Sequence, residues 1–525
     1  MNDRHTTAPM PRWAPKLFTL GAWLWLFLPL VWMWPTARSL SEVLLSALLL
    51  MGLLLARVTT RVAVITLWLI GMAFLSYFFA VHSLPDEFFW QAVLGSTPSE
   101  ATEYLQSFRP TDTARILTWA VPALVASIYL WRQKQPLYTK KVRVVAWFTV
   151  AIWLLWISIS LFKGYDVYRI FSRVDRIYPL MLVHSWERYE HNKQFALLPS
   201  PSSAPTHAPM IDVLVVVLGE SASAHRWSLL GYQGGPTNAA LAPWQQGLIS
   251  MPLTTNGNNT GQTLPVIVTG QSLNPLPITG VASYIDQAKA AGFRNEVYAN
   301  QQAPEGLASV ALRMRSDSFT RLQDGHYDDA LTPLFTAALH SAQTSAQPLL
   351  ITLHTYGSHP SVDKRTPPKK AAGSEPYDNS IHYTSQLIAQ WIAQLNTLKD
   401  KRTALLYVSD HGQDFPVCGG SYVHGITRST YEVPFLLWTN STVRQLYGDW
   451  WQQWTGLAQH AVTDDGVPRY TTLLPAQAIE QLLGYDTQPP TPTGSPAGMY
   501  PPVADSSLCT DWFPQVQKLH PAARP

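Results

Sequence analysis

Thr403-Ala404-Leu405-Leu406-Tyr407-Val408 runs directly into Ser409-Asp410-His411-Gly412, and Val213-Leu214-Val215-Val216-Val217 runs into Leu218-Gly219-Glu220-Ser221. Both apolar runs are short, unbroken and rich in β-branched or aromatic residues, the pattern of a strand buried on both faces. Each gives way to a loop at a carboxylate, so two strand ends could hold one metal between them. Asp410 and His411 supply a hard oxygen and a borderline nitrogen, and Glu220 adds a second oxygen. That set suits Zn2+ with one position left for a nucleophile, which makes the chain an enzyme whose missing ligand is its catalytic group.

Working outward, the 525 residues exceed one ordinary domain, and the apolar stretches concentrate before residue 163. Five of them, at about 17–34, 40–56, 62–81, 114–131 and 142–162, reach the roughly 17–25 residues of a spanning helix. So many runs in so short a segment leave too little polar sequence to cover a water-soluble core. The run at 40–56 is the shortest and carries Glu42 near its start. If the runs alternate, Arg4, Arg12, Lys16, Arg57, Arg61, Arg132, Lys134, Lys140, Lys141 and Arg143 share one side of the membrane. The acidic segment 82–113 falls on the other, which predicts a cytoplasmic N-terminus and everything after residue 162 outside the cytoplasm. With no small-residue cleavage site after it, the first run reads as an uncleaved helix.

Residues 163–208 read as an interfacial helix and a Pro/Ser-rich linker, rich in aromatic and basic residues at the start. From 209 to 487, strand patterns at 213–218, 296–299, 349–353, 404–408 and 435–438 alternate with helical patterns at 284–291, 331–342, 381–398 and 471–483. This alternation predicts an α/β domain with a mostly parallel sheet and functional residues at the carboxyl ends of its strands. Residues 488–525 form a Pro-rich tail. Cys418 and Cys509 are the two cysteines, too few for a zinc cluster, and they could form one disulfide in an oxidising compartment. The net charge of +3, with its basic residues scattered, gives no footprint for nucleic acid.

The polar stretch Thr254-Thr255-Asn256-Gly257-Asn258-Asn259-Thr260-Gly261-Gln262-Thr263-Leu264-Pro265 lies between the two strand ends in sequence. It reads either as a surface loop or as a loop presenting a threonine at a helix N-terminus, where the helix field and a metal would favour its alkoxide. His354 and His359 follow another strand, and His359 reads as a structural residue or as a phosphate-facing donor or second-metal ligand. His424 comes thirteen residues after His411, close enough to return to the same loops. His225, His326, His340, His382 and His460 lack such placement and read as surface or packing residues.

Together these stretches resemble the membrane-bound phosphoethanolamine transferases of Gram-negative envelopes, within the alkaline phosphatase and sulfatase superfamily. The segment 217–232, from Val217-Leu218-Gly219-Glu220-Ser221 to Ser228-Leu229-Leu230-Gly231-Tyr232, is similar to the family's Gly-Glu-Ser/Thr motif. Thr260-Gly261-Gln262-Thr263-Leu264-Pro265 is similar to its nucleophile loop, in which a Thr precedes a Pro by five residues. Gly357-Ser358-His359, Tyr377-Asp378-Asn379, Ser409-Asp410-His411-Gly412, His424-Gly425 and 433–438 follow in family order.

The resemblance implies a five-span α-helical membrane domain (1–162) and an exterior alkaline phosphatase-like catalytic domain (209–487). It implies Glu220, Thr260, Asp410 and His411 around one zinc, Thr260 as nucleophile with Thr263 second to it, and His359, His424 and Asn300 facing substrate. It further implies phosphatidylethanolamine as donor and lipopolysaccharide core or lipid A as acceptor. Two departures stand out. The nucleophile loop lacks the cysteines that flank it in many members, and Gln413-Asp414 stands where the family commonly has Glu. Ala299-Asn300-Gln301-Gln302 is similar to members that act on the core. A phosphoglycerol transferase or phosphodiesterase of the same superfamily, or a membrane-tethered binding protein, are the competing readings. A sulfatase would carry Cys or Ser followed by x-Pro-x-Arg, and Thr263-Leu264-Pro265-Val266-Ile267 has no such Arg.

Overall fold

The computed structural model describes residues 14–29, 57–81, 110–132, 140–163, 181–196 and 203–487, apart from 272–279, 302–307, 419–421 and a few single positions, together with Cys509 and scattered others. The chain divides into two compact units, 1–90 with 108–189 and 91–107 with 190–525.

The first unit contains α1 (Ala14–Leu26), α2 (Arg57–Val81), α3 (Pro110–Arg132), α4 (Lys140–Phe162) and the start of α5 (Met181–Ala196). Among the described residues, 61–79 and 110–132 are long and apolar enough to cross a membrane, by length and composition. Five spans are expected from the sequence. α1 is described over 13 residues, and residues 1–13 and 30–56 on either side of 14–29 lie outside the described residues. α4 covers 23 residues, with the apolar run Val142-Arg143-Val144-Val145-Ala146-Trp147-Phe148 leading into 150–162, and the run at 40–56 lies outside the described residues. Tryptophans join the helices through their ring N–H groups. Trp25 donates to the carbonyl of Trp119 at 3.1 Å and Trp119 returns a bond to that of Trp25 at 3.0 Å. α5 packs against Trp90, whose Nε1 donates to Ser185 Oγ at 2.8 Å.

In the second unit, β1 (Val213–Gly219), β2 (Leu248–Thr254), β3 (Arg294–Ala299), β4 (Ser318–Arg321), β5 (Leu349–His354), β6 (Thr403–Ser409) and β7 (Glu432–Thr439) form one sheet in the order β2-β7-β6-β1-β5-β3-β4. Only β7 runs against the others, so the sheet is mixed but mostly parallel, as expected. β2 and β4 are additions to the sequence reading. β2 is an edge strand interrupted by Ser250 and Pro252, with alternating burial, and its apolar signal is correspondingly broken. β4 is four mostly exposed residues.

Period-two alternation in β1 feeds two cores, because successive side chains point to opposite faces. Leu214, Val216 and Leu218 join Leu264 and Ile267 of α6 (Thr260–Thr269), Ile285 of α7 (Tyr284–Ala290) and Ile479 near the chain's end. Val213, Val215 and Val217 join Phe335 and Leu339 of α8 (Thr332–Thr344) and Ile388 and Trp391 of α9 (Pro376–Leu395). At the amino edge of β1, Asp212 is clamped by Arg402, with Nη2 2.6 Å and the backbone N 2.8 Å from its carboxylate.

Cys418 and Cys509 form a disulfide with their Cα atoms 5.0 Å apart; the remainder of the Pro-rich tail lies outside the described residues. Trp391 is fully buried, and its Nε1 donates to Thr332 Oγ1 at 3.1 Å. Trp391→Ala should destabilise the second unit by about 3–5 kcal/mol, read as a lower thermal unfolding midpoint of the full-length protein.

Candidate metal centre

Parallel register determines which residues meet. Gly219 of β1 pairs with Ser409 of β6, so Glu220 and Asp410 leave the sheet side by side. Leu218 pairs with His354, the last residue of β5, and His354 pairs with Ala299, the last of β3. Four neighbouring strand ends thus open onto one place. The loop after β2 adds a fifth element. It is anchored by Thr255 N on the Tyr431 carbonyl at 2.9 Å and by Asn258 Nδ2 on that of Gly425 at 3.0 Å. Asn259 then caps α6 by accepting from Gln262 N at 3.2 Å, leaving Thr260 as the first helical residue.

Glu220, Asp410 and His411 are buried, and their ligand atoms lie within 4.8 Å of one another. His411 Nε2 stands 3.4 Å from Glu220 Oε1 and 3.4 Å from Asp410 Oδ2. The Thr260 hydroxyl donates to Glu220 Oε2 at 3.1 Å and lies 3.5 Å from His411 Nε2. Thr263, the alternative nucleophile, turns back to donate to the Asn259 carbonyl at 3.0 Å. The predicted quartet therefore converges, with Thr260 and not Thr263 at the carboxylates.

Local backbone fixes the carboxylates. Ser221 has φ +56°, a left-handed conformation costing a residue with a Cβ roughly 1–2 kcal/mol. It is held there by three bonds: its N to Asp410 Oδ1 at 3.0 Å, its Oγ to Glu220 Oε1 at 2.7 Å, and the Tyr377 hydroxyl to its carbonyl at 2.6 Å. Gly357 has φ +53°, and a Cβ there would stand 2.6 Å from the Glu220 carbonyl oxygen. That close approach lets Ser358 N bond the same carbonyl at 2.8 Å.

His411 Nδ1 lies 2.8 Å from the Gly412 carbonyl. A carbonyl only accepts, so Nδ1 carries the proton and Nε2 faces the carboxylates. Asp410 Oδ1 accepts from two backbone N–H groups, whereas the buried Oδ2 has no hydrogen-bond partner. Two carboxylates at such separations repel by roughly 3–4 kcal/mol at an effective dielectric of about 20. Burial pushes Asp410 up to about 7, with the charge of Glu220 adding to it and His411 opposing. Burial also works against ionising Glu220 and His411, but their mutual attraction prevails. Glu220 lies well below the usual carboxylate range, and His411 is raised to about 9 by Asp410 and Glu220. An orphaned buried carboxylate oxygen and a proton-holding imidazole are what a divalent cation site shows without its ion, and the donor set fits zinc.

His424 meets the ring of His411 edge to face, with the centroids 4.8 Å apart; burial and the neighbouring His411 and His359 hold it down to about 3. His359, half-buried, packs on Tyr356 at 5.0 Å. Asn300 is turned away from Glu220. Its amide nitrogen donates to Asp328 Oδ1 at 2.8 Å and to the His326 carbonyl at 3.1 Å. It is Gln301, quoted from the sequence within the segment 299–302 but not as a site residue, that reaches Glu220, at 2.9 Å. Ser221, Tyr377 and His354 also belong to the surroundings; Tyr377-Asp378-Asn379 was visible as a motif, but its hydroxyl contact was not. His225 packs outside the cluster. Read as a surface or packing residue, it pairs with Glu432 at 2.7 Å, a partner 207 positions away that no local pattern announces. His326, His340 and His460 are exposed, as read.

Residues 212–464 match the Sulfatase family model. YhbX of Escherichia coli (strain K12) is 30% identical over 241 residues, 43% of either chain. Phosphoethanolamine transferase EptA of Helicobacter pylori is 26% identical over 277 residues, 47% of this chain and 51% of that one. The chain thus spans about half the length of these curated relatives. The integral membrane lipooligosaccharide phosphoethanolamine transferase A from Neisseria meningitidis has the same fold, with a TM-score of 0.58 at 17% identity over 91% of this chain and 90% of that one. Over 212–464 the chain is thus similar to the Sulfatase family. The relatives it resembles include proteins named as phosphoethanolamine transferases.

Because a metal must displace the His411 proton, apparent zinc affinity should rise about tenfold per pH unit up to about 9, and more steeply below about 7, where Asp410 is also protonated. Competition with a chelator across pH 6–10 measures both limbs, corrected for the chelator's own protonation. A flat profile would contradict these proton-holding ligands.

Proposed function

We propose that the chain transfers phosphoethanolamine from phosphatidylethanolamine to an envelope glycolipid, lipopolysaccharide core or lipid A, through a covalent intermediate on Thr260 at a zinc site. The observation that carries this reading is the Thr260 hydroxyl, 3.1 Å from Glu220 and 3.5 Å from His411, at the edge of a buried cluster of two carboxylates and one imidazole.

The N-terminus of α6 favours an alkoxide at Thr260 by at most about 2 kcal/mol, or about 1.5 pKa units. That is too little to ionise a hydroxyl near neutral pH. A divalent cation held by Glu220, Asp410 and His411 would supply the rest, as catalytic zinc lowers the pKa of a bound water by about nine units. Thr260 Oγ then attacks the donor phosphorus, its bond to phosphorus forming as the ester bond to diacylglycerol breaks and the departing oxygen takes up a proton. An acceptor hydroxyl or phosphate displaces Thr260 in a second substitution, returning the side chain to its starting state. His359 and His424 serve the phosphoryl oxygens as donors. Asn300 keeps a buried carbonyl oxygen without a hydrogen-bond partner, suited to accept from the donor's ammonium group.

In this reading the first unit is a five-helix inner-membrane domain with its N-terminus in the cytoplasm, and the second faces the periplasm. The Cys418–Cys509 disulfide supports an oxidising compartment for the second unit, and a bilayer location gives the enzyme direct access to a lipid donor.

Thr260→Ala should lower headgroup transfer by more than about 10³-fold while the purified protein keeps its zinc; retained transfer would move the nucleophile elsewhere. Fluorescent phosphatidylethanolamine should be used in preference to phosphatidylglycerol. The reverse preference would make the chain a phosphoglycerol transferase. Mass spectrometry of core and lipid A from cells with and without the protein identifies the acceptor.

A further inference from the structure

Gln301 lies two residues beyond β3, where Asn300 N bonds the His354 carbonyl at 2.8 Å and extends the pairing past the strand end. Its side chain is buried, and its amide nitrogen meets two acceptors, Glu220 Oε2 at 2.9 Å and His354 Nε2 at 2.7 Å. An amide NH2 has two hydrogens, and this arrangement uses both. The opposite orientation would press Oε1 against a carboxylate oxygen, so the contact with Glu220 determines which way the amide points. His354 accepts only as the neutral ring, and its burial, 1% exposed, keeps it so. The Glu220 carboxylate is thereby held at both oxygens. Ser221 Oγ donates to Oε1, while Gln301 and Thr260 donate to Oε2.

We propose that Gln301, held by His354, is a positioning residue that fixes the orientation in which Glu220 presents its oxygens to a divalent cation and to Thr260. Neither Gln301 nor His354 touches Thr260, Asp410 or His411 in any hydrogen bond seen here, so each acts through Glu220. A carboxylate donates nothing, and without an external donor its plane could rotate about the last side-chain bond. Two donors on Oε2 and one on Oε1 oppose that rotation. Hydrogen-bond partners behind metal ligands set ligand orientation, and their loss lowers metal affinity about 10–100-fold. The proposal rests on the reading of Glu220, Asp410 and His411 as a metal site.

The test uses the full-length protein with zinc alone as ligand, in chelator competition, and with cobalt as a spectroscopic substitute. Gln301→Met keeps the volume and removes both donors; Gln301→Ala removes the side chain. With unfolding midpoints close to wild type, both should weaken zinc binding about 10–100-fold, shift the cobalt d–d bands and lower kcat more than they raise KM for the donor. His354→Ala should have a smaller effect, and combined with Gln301→Met should add little to it, because His354 acts only through Gln301. Wild-type zinc affinity and cobalt spectrum in Gln301→Met, or full additivity of the two changes, would overturn the proposal. Asp410→Ala separates the two levels. If that variant loses zinc while Gln301→Met keeps it, the positioning role alone fails; if it retains wild-type zinc affinity, the metal-site reading fails and the proposal with it.

Discussion

The arrangement depends on the register of three parallel strands. Gly219 faces Ser409, and Leu218 faces His354, so the loops after β6, β1 and β5 begin at the same height. A one-residue slip of β6 against β1 would move Asp410 by about 3.3 Å and turn the strand's side chains to the opposite faces. The buried alternation of β1, with Val213, Val215 and Val217 in one core and Leu214, Val216 and Leu218 in the other, resists that slip. Hydrophobic packing on both faces therefore sets the geometry of the polar cluster at the strand ends.

That cluster opposes its own burial. Two carboxylates within 4.8 Å of each other would repel, and the fold answers with His411, with backbone N–H groups on Asp410 and with donors on both oxygens of Glu220. One atom stays unanswered, Asp410 Oδ2. Strain at Ser221 and the close approach at Gly357 are stored beside it, as is common where geometry serves binding more than stability. A cation with two positive charges would relieve the repulsion and satisfy the orphaned oxygen together.

Much of this was legible in the sequence because it lies in short contiguous patterns. The runs 213–217 and 403–408 read as buried strands, and each ends at its carboxylate. β2 was illegible for a physical reason: an edge strand needs only one buried face and tolerates Pro252. β4 is too short and too exposed to leave a pattern. Gln301 was missed because its neighbour Asn300 offered the same chemistry, and only coordinates show which amide turns toward Glu220 and which toward Asp328. The helical runs before residue 163 were visible as apolar stretches, and among the described residues 61–79 and 110–132 are helices long and apolar enough to cross a membrane.

The most direct measurement is X-ray diffraction from zinc-loaded crystals of the protein, collected on both sides of the zinc absorption edge. The expected result is an anomalous peak about 2.0–2.2 Å from oxygens of Glu220 and Asp410 and from His411 Nε2, with the Thr260 hydroxyl completing the tetrahedron. A peak bound elsewhere on the chain, or those four side chains lying apart around solvent, would contradict the convergence of the strand ends on a single cation.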